Sequence, residues 1–361
     1  MKKNIYKIVL LIFIIFLAVS IQFSQEKTIN KVFELTENKQ DENYLFWDPG
    51  SFDIDEKGSI YIADTKNSRI QKFDEKGKYT ITIGQKGDGP GEFIYPYYIR
   101  ISGDKIFVFD AGNVRISKFS LEGKFIDSDT AGRMFSTAVF DYEGNIYTKV
   151  SSPVGFGGAK PQTLEKYNSK GDFEFKLGER VFSPSSAVKT VSYGSGGSGT
   201  GYVSIFGSNI LCAVDKTNNV YINYPYNSSK IVKYSPDGTE LLTIDPKIEK
   251  LKVSEEDKTF LLKKFESYDS INIPKEKPSI MSIDLDDDNN IWIATREGEN
   301  QGEIHFHVLS REGKYIYKAK ITTKNPRNAL RIRIKKDNIY ILYKSEVEDV
   351  RFIKYNIIGN S

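Results

Sequence analysis

The two histidines of the chain, His305 and His307, are the residues whose type and spacing most directly suggest metal chemistry. They stand two residues apart in a segment that alternates like a β-strand, so both side chains face the same side, as zinc ligands can. The chain has no third histidine, and its only cysteine, Cys212, belongs to a distant segment. Because a zinc site needs three or four protein ligands, this incomplete set predicts a structural or solvent-facing pair and no metal site.

An acidic segment, residues 284–290 (DLDDDNN), resembles the start of a calcium-binding EF-hand loop. Asn289 occupies the sixth position, where that loop needs glycine, and Thr295 occupies the twelfth, where it needs glutamate. The segment therefore predicts a solvated acidic turn between two strands. No cofactor is expected, and calcium remains the one alternative.

The chain offers no complete set of catalytic residues. It contains no nucleophile elbow and no Ser/His/Asp order that the predicted strands support. The glycine-rich segment 84–91 (GQKGDGPG) opens no helix and lacks the Gly-Lys-Ser/Thr end of a phosphate-binding loop. These observations favour a protein without catalytic activity.

A repeat runs through most of the chain and must position these residues. Its unit, residues 52–84, contains four short strand segments joined by tight turns in which Gly58 and Gly77 supply a positive φ. The second strand begins with an aliphatic residue followed by an aromatic one, and this mark recurs at 60, 106, 146, 220, 291 and 339. Four strands per unit at this spacing are typical of a β-propeller. The sequence therefore predicts an all-β fold, a six-bladed β-propeller with four antiparallel strands per blade.

Two of the spacings are longer than one blade, and each contains an insertion without a further copy of the mark. The first insertion, residues 183–204, is rich in serine and glycine and predicts a flexible loop. The second, residues 247–278, contains Ser254 and Asp257 at the spacing of a helix N-cap, followed by apolar residues at helical spacing. We expect one amphipathic helix at about 254–267, packed on the propeller.

The ring must also close. The last copy of the unit supplies three strands before the chain ends, while an unassigned strand, residues 29–35, follows the N-terminal segment. We expect this N-terminal strand to be the outer strand of the last blade, which removes the open seam. The aromatic residues of the marks are expected to be structural, wedged between neighbouring blades: Tyr61, Phe107, Tyr147, Tyr221, Trp292 and Tyr340.

The motifs NSRIQKF (residues 67–73), NVRISKF (113–119) and GQKGDGPGEF (84–93) resemble those of NHL-repeat six-bladed propellers, and of secreted bacterial propellers in particular. The resemblance covers nearly all of the chain after the N-terminal segment and implies an NHL/TolB-like fold. It implies little about activity, since this fold supports hydrolases, lyases, receptors and scaffolds. Similar lactonase propellers bind calcium with channel carboxylates and amides. Glu92, Asp64, Asp110 and Asn223 are within reach of a channel mouth but match no such motif.

The longer loops are all expected at one end of the ring, because second-to-third-strand loops and blade connections share that end. They are residues 84–96, 153–161, both insertions and 296–302, and we call this end the elaborated face. The third strands begin there, at Arg69, Arg115, Thr163, Lys230, His305 and Arg351. With Glu92, the ionisable members of this set form our candidate ligand-binding residues, a ring suited to an anionic ligand. The alternative is that Arg69 and Arg115 pair across their own hairpins with Asp64 and Asp110.

The N-terminal segment predicts export. Lys2, Lys3 and Lys7 precede an apolar run, so residues 1–24 are expected to be a signal peptide or an uncleaved membrane anchor formed by residues 5–23. The propeller, residues 29–361, would then be periplasmic or secreted. Of the net charge of +3, all is carried by the N-terminal segment, and a neutral body argues against nucleic-acid binding. One cysteine excludes an intrachain disulfide.

The sequence thus favours an extracytoplasmic, non-catalytic propeller, expected to be a monomer, that binds a protein, peptide or glycan through the elaborated face. The alternative is a calcium-dependent hydrolase of the lactonase kind. RNA binding, known among NHL proteins, is disfavoured by the export signal and the neutral body.

Overall fold

The computed structural model describes residues 26–36, 40–132, 135, 138–151, 160–182, 187–194, 197–204, 210–225, 228–264, 266, 270–271, 273–324, 326–344 and 350–358. The predicted export segment, residues 1–24, lies outside them. Within them the chain forms a ring of β-sheets, a six-bladed β-propeller. In the described part of the chain no helix is long and apolar enough to cross a membrane.

The chain enters the ring with strand β1 (Glu26–Thr36), and the first three blades follow in order. Blade 1 consists of β2 (Ser51–Ile54), β3 (Ile60–Asp64), β4 (Arg69–Phe73) and β5 (Tyr79–Ile83). Blade 2 consists of β6 (Pro96–Ser102), β7 (Lys105–Asp110), β8 (Arg115–Ser120) and β9 (Phe125–Thr130). Blade 3 consists of β10 (Ala138–Phe140), β11 (Ile146–Ser151), β12 (Lys160–Tyr167) and β13 (Phe173–Phe182).

The first insertion forms an antiparallel hairpin of β14 (Ala187–Gly194) and β15 (Gly197–Ser204). The prediction of a flexible loop over residues 183–204 is therefore wrong for these two strands. The serine and glycine content hid the β-preferring residues of the AVKTVSYG segment, whose backbone pairs along its whole length with β15.

Blade 4 and the second insertion come next. Blade 4 consists of β16 (Leu211–Val214), β17 (Val220–Asn223), β18 (Ile231–Tyr234) and β19 (Glu240–Ile244). The insertion contains β20 (Leu251–Lys252), helix α1 (Glu255–Lys264), β21 (Ser270–Ile271) and β22 (Glu276–Lys277). Strand β20 pairs with β22, and β21 pairs with β14 of the first insertion.

The last two blades complete the ring. Blade 5 consists of β23 (Ile280–Leu285), β24 (Ile291–Thr295), β25 (Glu303–Leu309) and β26 (Tyr315–Thr322). Blade 6 consists of β27 (Ala329–Lys335), β28 (Asn338–Tyr343) and β29 (Arg351–Ile358), with β1 as its fourth strand. Short 3-10 helices lie in connections at Glu42–Tyr44, Thr65–Asn67, Glu299–Gln301 and Pro326–Asn328.

Strand β1 closes the ring as the sequence predicted. It pairs antiparallel with β29 from Thr28 opposite Ile358 to Thr36 opposite Arg351. Its first residues also pair in parallel with β26, so that blades 5 and 6 share one eight-stranded sheet. The first strand of each blade contacts the first strand of the next, and the contact between β2 and β27 completes the circle.

The aromatic residues of the six marks are buried between blades, as expected. Their side chains are at most 5% exposed, and they are Tyr61, Phe107, Tyr147, Tyr221, Trp292 and Tyr340. In blade 1 an aspartate six residues before the aromatic holds the preceding turn. Asp55 accepts the backbone N–H groups of Lys57 and Ser59, and Tyr61 donates its hydroxyl to the same carboxylate. The turn and the inter-blade aromatic are thereby fixed together.

Helix α1 is present and begins where the sequence predicted. The Ser254 hydroxyl accepts the Asp257 N–H at 3.1 Å, and the Asp257 carboxylate accepts the Ser254 N–H at 2.9 Å, which is a reciprocal capping box. Leu261 is buried, whereas Phe260 and Leu262 are exposed. The helix is also held by charge, because buried Lys277 donates to both Asp257 and Glu299 at 2.8 Å.

We expect Ser254→Ala to lower the free energy of unfolding by about 1 kcal/mol, since the first-turn N–H groups lose their cap. Urea unfolding monitored by circular dichroism measures this change. Ser254→Thr keeps the hydroxyl and is the matched control. An alanine variant as stable as the parent would show that the cap contributes nothing to docking the helix.

Candidate functional site

A cavity of about 420 Å³ lies in the channel at the end where the first strands begin, which is the elaborated face. We call it the wide cavity. It is lined by the opening residues of β6, β10, β16, β23 and β27, and by β11 and β12 beside them. Five blades therefore converge on one volume, which falls in the range of small-molecule sites.

The lining of the wide cavity combines aromatic rings with positive charge. Tyr97 and Tyr98, at the start of β6, line the cavity, and Tyr97 stacks on Tyr95 with ring centroids 5.9 Å apart. Lys149, Arg331 and Arg333 line the cavity as well, and no aspartate or glutamate is found among the described lining residues. Burial lowers the pKa values of Lys149 and Arg331, because both cations have lost much of their water.

A layer of ion pairs lies below the wide cavity and divides the channel. It consists of Asp53, Arg100, Asp284 and Arg333, which come from the first strands of blades 1, 2, 5 and 6. Arg333 lies 3.3 Å from Asp284 and 3.8 Å from Asp53. Asp284 also accepts the Ile334 N–H at 2.7 Å, and Asp53 accepts the Ile101 N–H at 2.8 Å. Arg333 is thus neutralised from below, whereas Arg331, two residues earlier, faces the wide cavity.

A second, narrow cavity of about 60 Å³ lies on the other side of this ionic layer. It is lined by the first-to-second-strand turns, including Asp55, Asp215 and Asp287, and by Lys216 and Lys335. In this cavity carboxylates and cations pair with one another: Lys216 lies 2.7 Å and Lys335 3.1 Å from Asp287. Ion pairs between the turns of neighbouring blades therefore line this end of the channel.

Arg69 serves its own hairpin. Its Nε donates to Asp64 at 2.9 Å, and its Nη2 donates to the carbonyl oxygens of Glu42 and Leu45. Asp64 is fully buried and also accepts N–H groups from Trp47 and Asn67. Burial raises the pKa of Asp64, and these hydrogen bonds act against that rise.

Arg115 holds the loop of residues 84–96 through backbone groups. It donates to the carbonyl oxygens of Asp88, Gly89 and Glu92. The carboxylate of Glu92 accepts the Gly89 N–H and the Gln85 amide, and these bonds hold the pKa of Glu92 below its ordinary value. Both predicted site residues therefore shape the loop from within.

The other members of the predicted ring are not brought together by contacts among the described residues. Lys230 is exposed, Thr163 is half-buried, and Arg351 lies 3.6 Å from Glu34 of the closing strand. Asp110 and Asn223 are fully buried and bind backbone groups of their own connections. A ligand-binding role for the predicted set stays a prediction, and its members are Arg69, Arg115, Lys230, His305, Arg351 and Glu92.

These contacts predict a contrast within the ring. We expect Arg69→Ala to lower the free energy of unfolding by about 2 kcal/mol, because it removes a charged hydrogen bond from buried Asp64. Exposed Lys230→Ala is the matched control and should change it by less than about 0.5 kcal/mol. Chemical unfolding of both variants measures this difference. If the two variants have the same free energy of unfolding, the ion pair of Arg69 with Asp64 contributes nothing to stability.

The histidine pair faces one side of β25, as the alternation predicted. His305 lies 2.7 Å from Glu303, and His307 lies 3.3 Å from Glu297, which also pairs with Lys318. The hydrogen bond with His307 and the one with Lys318 outweigh burial and hold the pKa of Glu297 at about 2. Across the described residues, no group of three or more His, Cys, Asp or Glu side chains is arranged to hold a metal ion.

The acidic segment 284–290 is a hairpin turn, as predicted, but it is only partly solvated. Asp286 accepts the N–H groups of Asp288 and Asn290 and the indole N–H of Trp292. Asp284 points the other way and is buried in the ionic layer, where burial raises its pKa against the effect of Arg333. The error has a simple cause, because Asp284 still belongs to the innermost strand.

Sequence reasoning missed the residues of the wide cavity. Arg331 and Arg333 stand at alternate positions of β27, the LRIRIK segment, and this was the available signal. Cations on an innermost strand must face the channel region, since that strand borders it. Lys149 gave no comparable signal, because it lies on a second strand near its end.

Comparisons with known proteins agree on the fold. Residues 41–182, which comprise the first three blades, match the DUF5128 family model, described as a 6-bladed beta-propeller. Protein brain tumor of Drosophila melanogaster is 26% identical over a match that covers 29% of this chain and 12% of that protein. The chain therefore spans about an eighth of that relative's length.

Solved structures resemble the whole ring. A member of the DUF4221 family from Bacteroides vulgatus matches 93% of this chain and 99% of its own with a TM-score of 0.54 at 12% identity. A putative exported protein from Bacteroides fragilis matches 94% and 98% with a TM-score of 0.50 at 13% identity. At such identities the likeness concerns the fold.

Proposed function

We propose that this protein is an extracytoplasmic, non-catalytic β-propeller that binds a protein, peptide or glycan ligand through its elaborated face. The observation that carries the proposal is the wide cavity, a site-sized volume that opens where the blade connections lie. The rings of its tyrosines can pack against a ligand, and its cations can bind a negatively charged group of that ligand. The resemblance to secreted NHL-type propellers and the sequence of residues 1–24 support the extracytoplasmic part.

The binding role is tested with an array of soluble glycans and peptides probed with the purified protein. We expect saturable binding that Tyr97→Ala abolishes, because Tyr97 lines the cavity and its ring stacks on Tyr95. The matched control is Phe173→Ala, an exposed aromatic at the opposite end of the ring. Binding that responds equally to both substitutions would contradict a site on the elaborated face.

The non-catalytic part is tested against its alternative, a calcium-dependent lactonase-like hydrolase. Metal analysis of the purified protein and an assay of δ-gluconolactone hydrolysis with and without calcium separate the two. We expect neither bound stoichiometric calcium nor calcium-dependent hydrolysis. Calcium held tightly in the channel together with turnover would establish the hydrolase.

The extracytoplasmic location of the propeller is tested by fusing alkaline phosphatase after Ser361, since this enzyme is active only outside the cytoplasm. We expect an active fusion protein in intact cells.

A further inference from the structure

The charge of the wide cavity is not balanced by its own lining. Of the three lining cations, Arg333 is shared with the carboxylates of the ionic layer. Arg331 forms no ion pair with any carboxylate in the described part of the chain, although Arg333, two residues away, has two. Lys149 adds positive charge from blade 3. The described lining therefore holds cations and no carboxylate, and Arg331 is the cation without an acidic partner among the described residues.

Arg331 is held in place by an aromatic ring and not by an acid. Its guanidinium carbon lies 5.1 Å from the centre of the Tyr98 ring, and the two side chains interact through a hydrogen bond. Its Nε is buried without a hydrogen-bond partner among the described residues. A planar guanidinium of this kind presents parallel donors that match a carboxylate.

Such a cation attracts an anion more strongly than an exposed one does. Charges interact more strongly where water is excluded, and a desolvated cation recovers stabilisation when an anion joins it. The lowered pKa of Arg331 has burial as its largest cause, and nearby Arg333 adds to the effect. An anion beside Arg331 would offset this loss of hydration.

We propose that the wide cavity binds a small organic carboxylate, no larger than a disaccharide, whose carboxylate group contacts Arg331 with Lys149 nearby. This inference rests on the proposed function and specifies the chemical group that anchors the ligand. The carboxylate belongs either to an acidic sugar or to a short peptide end, and both present the same group to Arg331. The lining residue Tyr97 contacts the uncharged remainder of the molecule.

Two pairs of probes test the charge and its source. Glucuronate is compared with glucose, and glycylglycine with its amide, by titration calorimetry on the full chain. We expect at least one carboxylate to bind about tenfold or more tightly than its neutral partner, since a charged pair is gained. Glucuronate alone would identify an acidic sugar, and glycylglycine alone a peptide end.

Cys212 reports whether binding occurs in this cavity. It lines the wide cavity and is the only cysteine, and burial raises its pKa to about 12, so its alkylation by N-ethylmaleimide is slow and measurable by mass. The bound carboxylate should slow this alkylation further. Arg331→Gln should remove both protection and calorimetric binding, and Arg331→Lys should restore part of each. Lys216→Gln, a cation beside the narrow cavity, should leave both unchanged.

The outcomes separate this inference from the proposed function. If glucose protects Cys212 as well as glucuronate does, the cavity binds a ligand but the carboxylate inference is wrong. If inorganic phosphate binds more tightly than either carboxylate, the inference is also wrong. If none of the probes binds, the inference fails, while array binding that depends on Tyr97 would still uphold the proposed function.

Discussion

Removal of residues 26–36 is expected to unfold the ring at room temperature. Strand β1 supplies the outer edge of blade 6 and joins it to blade 5, so its loss exposes the pairing edge of β29. It also removes Leu35, which is 7% exposed and packs in one cluster with Phe52 and Phe352. The free energy of unfolding of an ordinary protein is about 5–15 kcal/mol. We expect the loss of a whole closing strand to exceed it.

Thermal unfolding followed by circular dichroism measures this effect. The matched control removes only residues 1–25 and keeps β1, so its melting temperature should equal that of the parent. Point variants grade the result: Leu35→Ala should cost about 2–5 kcal/mol, whereas Val32→Ala, on the same strand but 52% exposed, should cost less than about 0.5 kcal/mol. A deletion variant that melts with the parent would show that ring closure does not depend on β1.

The fold could be predicted because its signals are local and repeated. The aliphatic–aromatic mark of the second strand recurs in every blade. The last blade lacks its fourth strand, and the N-terminal strand is the one strand left unassigned, so their pairing could be predicted. Helix α1 followed from the capping box of Ser254 and Asp257, which acts within four residues. The hairpin at residues 187–204 was not predicted, because the serine and glycine content was given more weight than the β-preferring residues of the segment.

The candidate site could not be predicted in the same way, because it depends on convergence of distant residues. Lys149 and Arg331 are 182 positions apart and line one cavity only because blades 3 and 6 border the same channel. Arg115 illustrates a related difficulty, since its partners are backbone carbonyl oxygens of residues 88–92, and these leave no trace in side-chain spacing. The spacing of charged residues in the sequence identified the basic residues of the elaborated face, but it did not identify the groups that hydrogen-bond to them.

Trp292→Ala is expected to lower the free energy of unfolding by about 3–5 kcal/mol, because it removes a large side chain from the contact between blades 5 and 6. Trp292 is 3% exposed, and Phe306 and Tyr317 meet its ring edge-to-face at 5.8 and 5.7 Å. Its indole N–H also donates to Asp286 at 3.0 Å, which ties the ring to the turn of its own blade.

Trp47→Ala is the matched control. Trp47, the other tryptophan of the chain, is 59% exposed on the elaborated face, and its removal should lower the free energy of unfolding by less than about 0.5 kcal/mol. Urea unfolding measures both variants. Trp292→Phe separates the two contributions, because it keeps most of the apolar volume and loses the bond to Asp286. A Trp292→Ala protein that is as stable as the parent but no longer binds ligand would make this residue part of the binding site. Loss of stability with binding retained by the folded fraction would instead show that Trp292 acts by holding neighbouring blades together.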